Sequence, residues 1–121
     1  MTKTRTLQIL AAAAALLLVG TALAAAPKKT PELVKKGKAS YETNCSVCHG
    51  PIGHGDGEGG GDPKPRNFVA DKFKNGTKPE QIFATLKKGM DGTAMVSFGH
   101  LPDEELWGLA YYVLELRAAK K

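Results

Sequence analysis

Cys45-Ser46-Val47-Cys48-His49-Gly50 contains both cysteines of this 121-residue chain and one of its three histidines. A Cys-x-x-Cys-His sequence is typical of covalent haem attachment, in which both thiols bond to vinyl groups of the porphyrin and the imidazole becomes an axial iron ligand. Two intervening residues place the thiols about one helical turn apart. The stretch therefore predicts one covalent haem c with its iron, attached at Cys45 and Cys48 and ligated by His49.

Other chemistries share part of this pattern. Cys-x-x-Cys alone also occurs in thioredoxin-like proteins and zinc sites, and two thiols in an oxidising compartment can form a disulfide. The histidine directly after the second cysteine favours thioether bonds to haem over these alternatives. A tetrahedral zinc site would have only Cys45, Cys48 and His49 as ligands unless His54 joined them.

The N-terminal segment 1–24 is expected to be a secretory signal peptide. Two basic residues precede an apolar run over 7–19, and the small-residue pattern Ala-Leu-Ala follows at 22–24. Cleavage there leaves residues 25–121 as one mono-haem cytochrome-sized domain in the periplasm. The alternative is an uncleaved membrane anchor, because a spanning helix needs about 20 apolar residues and the run can be extended toward that length.

Net charge gives limited information about partners. Removing Lys3 and Arg5 with the signal lowers the formal net charge from +5 to +3. The remaining lysines include a cluster at Lys28, Lys29, Lys35, Lys36 and Lys38. This cluster either steers an acidic redox partner or forms a solvated helix face. No alternation of arginine and aromatic residues indicates nucleic-acid binding, and we expect a monomer.

Three helices are predicted. The first begins after Thr30 as N-cap, with Pro31 as its first residue, and runs to about Asn44. The second begins after Thr77, which would form a capping box with Glu80, and ends at Gly89. The third opens at Pro102 and Asp103 and runs to about Arg117. Its apolar residues form two stripes, which predicts contact with the first helix and with the haem.

Long loops join these helices. Seven of the twelve residues from 50 to 61 are glycine, which predicts a flexible surface loop rather than a helix or strand. The proline-containing segment 63–68 follows. Since no strand of convincing length is found, the fold class is all-α, with three main helices and long loops around one covalently bound haem.

Together these residues resemble the class I c-type cytochromes in their short bacterial mono-haem form. The resemblance extends from about Leu33 to Leu116. It is carried by Gly37 and Tyr41 before the haem motif, by Gly92-Thr93-Ala94-Met95 before Phe98, and by Leu101-Pro102-Asp103-Glu104-Glu105 before Tyr112-Val113. It implies a cytochrome c fold in which the terminal helices cross, with Gly37 allowing close contact near Tyr112.

The resemblance gives the second axial position to Met95, which matches the family's methionine. Met90, five residues earlier, and His100 remain alternatives. His54 lies in the glycine loop and is poorly placed to reach the opposite haem face. Val96 stands where family members often have proline, which predicts a less rigid loop around the ligand.

Further roles are expected around the haem. The other ring nitrogen of His49 needs an acceptor, for which the backbone carbonyl of Pro63 or Pro65 is the candidate. Arg66 is expected to bind a haem propionate, unless it is an ordinary surface arginine. Three aromatic residues are expected to line the haem pocket, although each could be plain core: Phe68, Phe98 and Trp107.

These expectations predict an exported mono-haem c-type cytochrome that is not an enzyme. It would carry single electrons between redox partner proteins, using a low-spin haem ligated by His49 and Met95. One alternative is a haem-based gas-binding or sensing module, which would require a labile Met95. Another is the small haem subunit of an oxidase or reductase complex.

Overall fold

A computed structural model describes residues 25–119. Its helices are α1 (Pro31–Asn44), α2 (Ser46–His49), α3 (Pro79–Lys88) and α4 (Asp103–Ala118). The described range holds no strand, so the predicted all-α class with three main helices and long loops is confirmed. The short helix α2 is an addition, and it carries the second half of the cysteine motif. The predicted signal peptide lies outside the described residues.

Helix α1 begins where its sequence predicts. Thr30 has extended backbone angles, and its hydroxyl oxygen accepts the N–H of Leu33 at 3.2 Å. Pro31 occupies the first turn, where its missing N–H leaves no helical hydrogen bond unmade. The N-cap thus satisfies one of the helix's free N–H groups and fixes the start of α1.

Helices α1 and α4 cross in backbone contact. A Cβ built on Gly37 would overlap the carbonyl of Gly108, and a Cβ on Gly108 would lie 2.5 Å from the Leu33 oxygen. The expected contact of Gly37 with Tyr112 is therefore corrected to Gly108, one turn earlier on α4. Two facing glycines allow the approach because neither has a side chain. Tyr112 instead meets Tyr41 edge-on, with ring centroids 5.3 Å apart.

Helix α3 begins one residue later than predicted. Its N-cap is Lys78, because Pro79 takes the first helical position. The predicted pair of Thr77 with Glu80 is replaced by a hydrogen bond from the Lys78 N–H to the Gln81 side-chain oxygen at 3.0 Å. The predicted end is confirmed, since Gly89 closes α3 with a φ of +78°.

Helix α4 is the centre of the core and is buried on several sides. One cluster joins it to α1 and α3 through Tyr41, Leu86, Leu106, Leu109 and Val113. A second, smaller cluster contains Leu33, Trp107 and Tyr111. The two apolar stripes of α4 thus contact α1 and α3, and Val113 on one stripe also lines a cavity beside His49. Within residues 25–119, none of the helices has the length and apolarity to cross a membrane.

Candidate haem site

The cysteine motif lies at the junction of α1 and α2. Cys45 ends the first helix, and its carbonyl accepts the N–H groups of Cys48 at 3.2 Å and His49 at 2.9 Å. This single turn brings both thiols and the imidazole to one corner of the fold. Both cysteines are free thiols, Cys45 buried and Cys48 partly exposed. Burial raises the pKa of the Cys45 thiol to about 11, with a contribution from Cys48.

The glycine loop is bound to α2 by a series of backbone hydrogen bonds. The N–H groups of Gly55, Gly57 and Gly59 donate to the carbonyls of His49, Cys48 and Val47 at 2.8, 3.1 and 2.8 Å. These are the carbonyls that the end of a helix leaves without partners. A Cβ on Gly57 would overlap two of them. Instead of extending freely from the surface, the loop caps α2 and fixes the residue that follows the motif.

A backbone carbonyl holds the imidazole of His49 in one orientation. Its Nδ1 lies 3.2 Å from the Arg66 oxygen, and its ring stacks on Phe68 at a centroid distance of 4.5 Å. The predicted acceptor, Pro63 or Pro65, is therefore corrected to Arg66. The reason is that the Pro65 carbonyl faces Gly55 instead. It lies so close to Gly55 that a Cβ on this glycine would overlap the Pro65 oxygen.

This arrangement suits a metal-ligating histidine. A neutral imidazole that donates its Nδ1–H to a carbonyl keeps the Nε2 lone pair available for a metal. Burial lowers the pKa of His49, although the hydrogen bond to the Arg66 carbonyl partly opposes this effect. The lowered pKa favours the neutral form of the ring, which is the form that binds iron.

Beside His49 lies an open cavity whose lining includes both Met90 and Met95. Its wall is mainly apolar and includes Phe68, Phe73, Ile82, Leu86 and Val113. An imidazole and two thioethers line this cavity, and the two thiols belong to the same turn as the imidazole, which matches the ligand set of haem c. The residues present therefore fit a covalently attached haem, which would be bound by Cys45 and Cys48 and ligated by His49.

The structure separates the candidates for the second axial position. Met95 and Met90 both line the cavity, and Met95 also packs against the main core cluster. His100 and His54 are exposed and lie outside the cavity wall. The histidine alternatives are thus set apart from the pocket, while the assignment of Met95 over Met90 stays a prediction.

Hydrogen bonds tie the methionine loop together. The N–H of Met90 donates to the Met95 carbonyl at 2.9 Å. The Thr93 hydroxyl donates to the Met90 carbonyl at 2.7 Å and accepts the Met95 N–H at 3.1 Å. These bonds constrain the loop despite Val96 in place of the usual proline.

The other predicted pocket residues separate into two groups. Arg66 and Phe68 line the cavity, whereas Phe98 packs against the main cluster outside its wall. Trp107 lies in the second cluster and stacks on Phe83 at a centroid distance of 4.0 Å. Trp107 lies on the same stripe of α4 as Tyr111, and this stripe packs against Leu33 of α1.

Sequence reasoning missed part of the wall. Eight lining residues were not predicted for the site, namely Phe73, Lys74, Asn75, Gly76, Ile82, Thr85, Leu86 and Val113. The available indication was Phe73, a single aromatic residue in the polar stretch 71–78. An isolated large apolar residue in a polar loop usually marks a buried contact.

Comparison with known proteins identifies the family. Residues 32–113 match the family described as cytochrome c oxidase, cbb3-type, subunit III. The chain belongs to the class I c-type cytochromes. The cofactor of this cytochrome is covalently bound haem c with its iron, which confirms the prediction made from the cysteine motif.

Two longer proteins resemble this cytochrome. Thiosulfate dehydrogenase from Stutzerimonas stutzeri (strain A1501) is 31% identical over 80 residues, covering 66% of this chain and 26% of the relative. A chain of the Kuenenia stuttgartiensis reducing HAO-like protein complex superposes with a TM-score of 0.71 at 32% identity, covering 78% of this chain and 48% of the neighbour. The cytochrome thus spans about a quarter and about half of these relatives. The match supports a haem-based electron carrier or the small haem subunit of a complex.

Proposed function

We propose that this chain is an exported mono-haem cytochrome that carries single electrons between redox partner proteins. Its haem iron would be ligated by His49 on one face and Met95 on the other. The observation that carries the proposal is that both side chains line the same mainly apolar cavity, and that His49 belongs to the same turn as the two thiols. Because two protein ligands leave no open coordination position, we propose electron carriage rather than catalysis.

The surroundings of the two ligands support this role. When bound, haem c supplies an Fe(III)/Fe(II) couple, and a thioether ligand raises its reduction potential. The hydrogen bond from His49 to the Arg66 carbonyl fixes the imidazole orientation. Arg66 and Lys74 both line the cavity, so their positive charges are available for the haem propionates.

The ligand assignment is tested by matched methionine variants. Wild-type protein should show the sharp reduced bands of low-spin haem c and, when oxidised, the weak charge-transfer band of methionine-ligated haem at the red edge of the spectrum. Met95→Ala should lose that band, and Met90→Ala should keep it. The reverse result would transfer the ligand role to Met90.

Carbon monoxide distinguishes a carrier from a gas-binding module. Ferrous wild-type protein at neutral pH should resist carbon monoxide, because Met95 occupies the position that the gas would take. Met95→Ala provides the positive control and should bind the gas rapidly. Rapid and complete binding by the wild type would contradict the carrier and favour a sensor.

A second candidate is a small haem subunit of a larger redox complex. The matched family is described as a subunit of an oxidase. Affinity isolation from the native host decides between the two, since a free carrier elutes alone and a subunit brings a stoichiometric partner.

Ion pairs bear on the choice of partner and on export. Three lysines of the N-terminal cluster pair with carboxylates, joining Lys29 to Glu115 at 2.8 Å, Lys36 to Glu104 at 2.7 Å and Lys38 to Glu42 at 3.8 Å. This pairing supports a solvated helix face over a surface that steers acidic partners. Export is tested separately by mass spectrometry of the native N-terminus, which should begin at Ala25.

A further inference from the structure

Arg117 binds the loop that shapes one side of the haem cavity. It lies in the last turn of α4, and its Nη1 donates to the carbonyls of Phe68 at 2.6 Å and Asp71 at 2.9 Å. The guanidinium also lies over the Phe73 ring, 4.6 Å from the ring centroid. Each of these contacts falls in segment 66–73. A helix-terminal arginine that only complemented the helix dipole would not need them.

The same segment holds His49. The Arg66 carbonyl accepts the hydrogen bond from the imidazole Nδ1, and the Phe68 ring stacks on the imidazole. On its other side the segment is held by the Phe68 N–H, which donates to the Gly53 carbonyl at 2.7 Å. Within the segment, the Asn67 N–H donates to the Asp71 carboxylate at 2.9 Å. Arg117 is thus the side chain through which α4 fixes this loop against the imidazole.

We propose that Arg117 is a positioning residue that sets the reduction potential of the haem. By holding the carbonyls of Phe68 and Asp71, it keeps the Arg66 carbonyl within hydrogen-bond distance of His49. The inference rests on the proposed ligation of the iron by His49. A planar guanidinium suits the task, because the two N–H bonds of its Nη1 form a rigid fork that reaches both carbonyls at once.

The direction of the effect follows from ligand chemistry. A hydrogen bond donated by Nδ1–H makes the imidazole a stronger donor to the metal, which favours ferric iron. Loosening the segment should weaken this bond and raise the reduction potential. Loss of a positive charge near the haem has the opposite effect. It favours ferric iron and therefore lowers the reduction potential. The sign of the shift therefore separates positioning from simple electrostatics.

Two variants of the holoprotein use this difference in sign. Arg117→Lys keeps the charge but lacks the fork, so its potential should rise. The expected size is up to about a tenfold shift of the one-electron equilibrium toward ferrous haem, or ~59 mV. Arg117→Gln loses both fork and charge and should shift upward by less than Arg117→Lys. Ala118→Gly, which weakens the exposed end of α4 alone, should lower the melting temperature and leave the potential unchanged.

The measurements are a redox titration and a nuclear magnetic resonance experiment on the wild type. In ferrous protein labelled with ¹⁵N-arginine, the Arg117 Nη protons should exchange slowly with solvent and give separate signals. Averaged, rapidly exchanging signals would overturn the proposal even if neither variant assembled. An unchanged or lowered potential in a correctly ligated Arg117→Lys protein would overturn it as well. Failure of the proposed function looks different, because the wild-type spectrum itself would then lack the bands of six-coordinate haem c.

Discussion

Replacing Gly37 by alanine gives the strictest test of the helix crossing on which the haem site depends. A Cβ at this position would overlap the carbonyl of Gly108 and lie 2.7 Å from the Leu109 nitrogen. Both are backbone atoms of a buried helix, which no side-chain rotation can move. We therefore expect α1 and α4 to separate locally in the Gly37→Ala protein.

The size of the effect follows from two opposing contributions. Overpacking a well-packed interior costs about 1–3 kcal/mol and occasionally more, and a clash with rigid backbone belongs at the upper end. Alanine recovers about 1 kcal/mol of helix propensity relative to glycine. The net loss is therefore about 2 kcal/mol. For a domain of this size, 1 kcal/mol changes the melting temperature by about 4–8 °C, which gives a drop of roughly 10 °C.

Thermal unfolding of the ferric holoprotein, followed by circular dichroism, measures this directly. Gly61→Ala is the matched control, because the nearest atom to a Cβ there is the Ala94 side chain at 3.7 Å. It should change the melting temperature by no more than a few degrees. A Gly37→Ala protein as stable as the wild type would refute the argument, since it would show that the two helices do not touch at this position.

Two more predictions concern single hydroxyl groups. Tyr41→Phe leaves the buried Gly50 carbonyl without its 2.7 Å donor, so it should lower the free energy of unfolding by about 1–3 kcal/mol in a denaturant titration. Burial raises the Tyr41 pKa above its ordinary 10.0, so wild-type stability should fall as pH rises above 10, where only the unfolded tyrosine ionises. Tyr41→Phe should lack this contribution of Tyr41 to the loss at high pH. Thr93→Val removes both hydrogen bonds of the Thr93 hydroxyl within the methionine loop. This change should free Met95 and make ferrous haem bind carbon monoxide faster, while Thr93→Ser should bind it at nearly the wild-type rate. Equal binding rates in all three proteins would argue against the loop constraint.

Local features of the sequence predicted the helices well. Thr30 followed by proline, and Asp103 preceded by proline, specify helix starts through their own backbone preferences. The observed starts of α1 and α4 agree with them. The start of α3 was misplaced by one residue because Thr77 and Lys78 both precede Pro79. A threonine side chain suggested the wrong cap, while the position of the proline determined the observed one.

Contacts between distant segments could not be predicted in the same way. The acceptor of the His49 hydrogen bond and the link from Arg117 to Phe68 both depend on how segment 50–78 folds over the helices. This segment has no helical or strand periodicity, so no pattern in it indicates which atoms meet. The cysteine motif predicted the haem and the family resemblance identified the methionine loop, but neither predicted that Gly37 would face Gly108.

The glycine loop shows why composition alone was misleading there. Seven glycines between residues 50 and 61 were interpreted as flexibility, yet the structure uses several of them for close approach. Gly55, Gly57 and Gly59 alternate along the chain, and their N–H groups pair with three consecutive carbonyls at the end of α2. Glycine at every second position is what a strand-like segment needs when one of its faces lies against another backbone. The spacing of the glycines therefore carried the information that their number obscured, and it places this loop in the support of the haem motif.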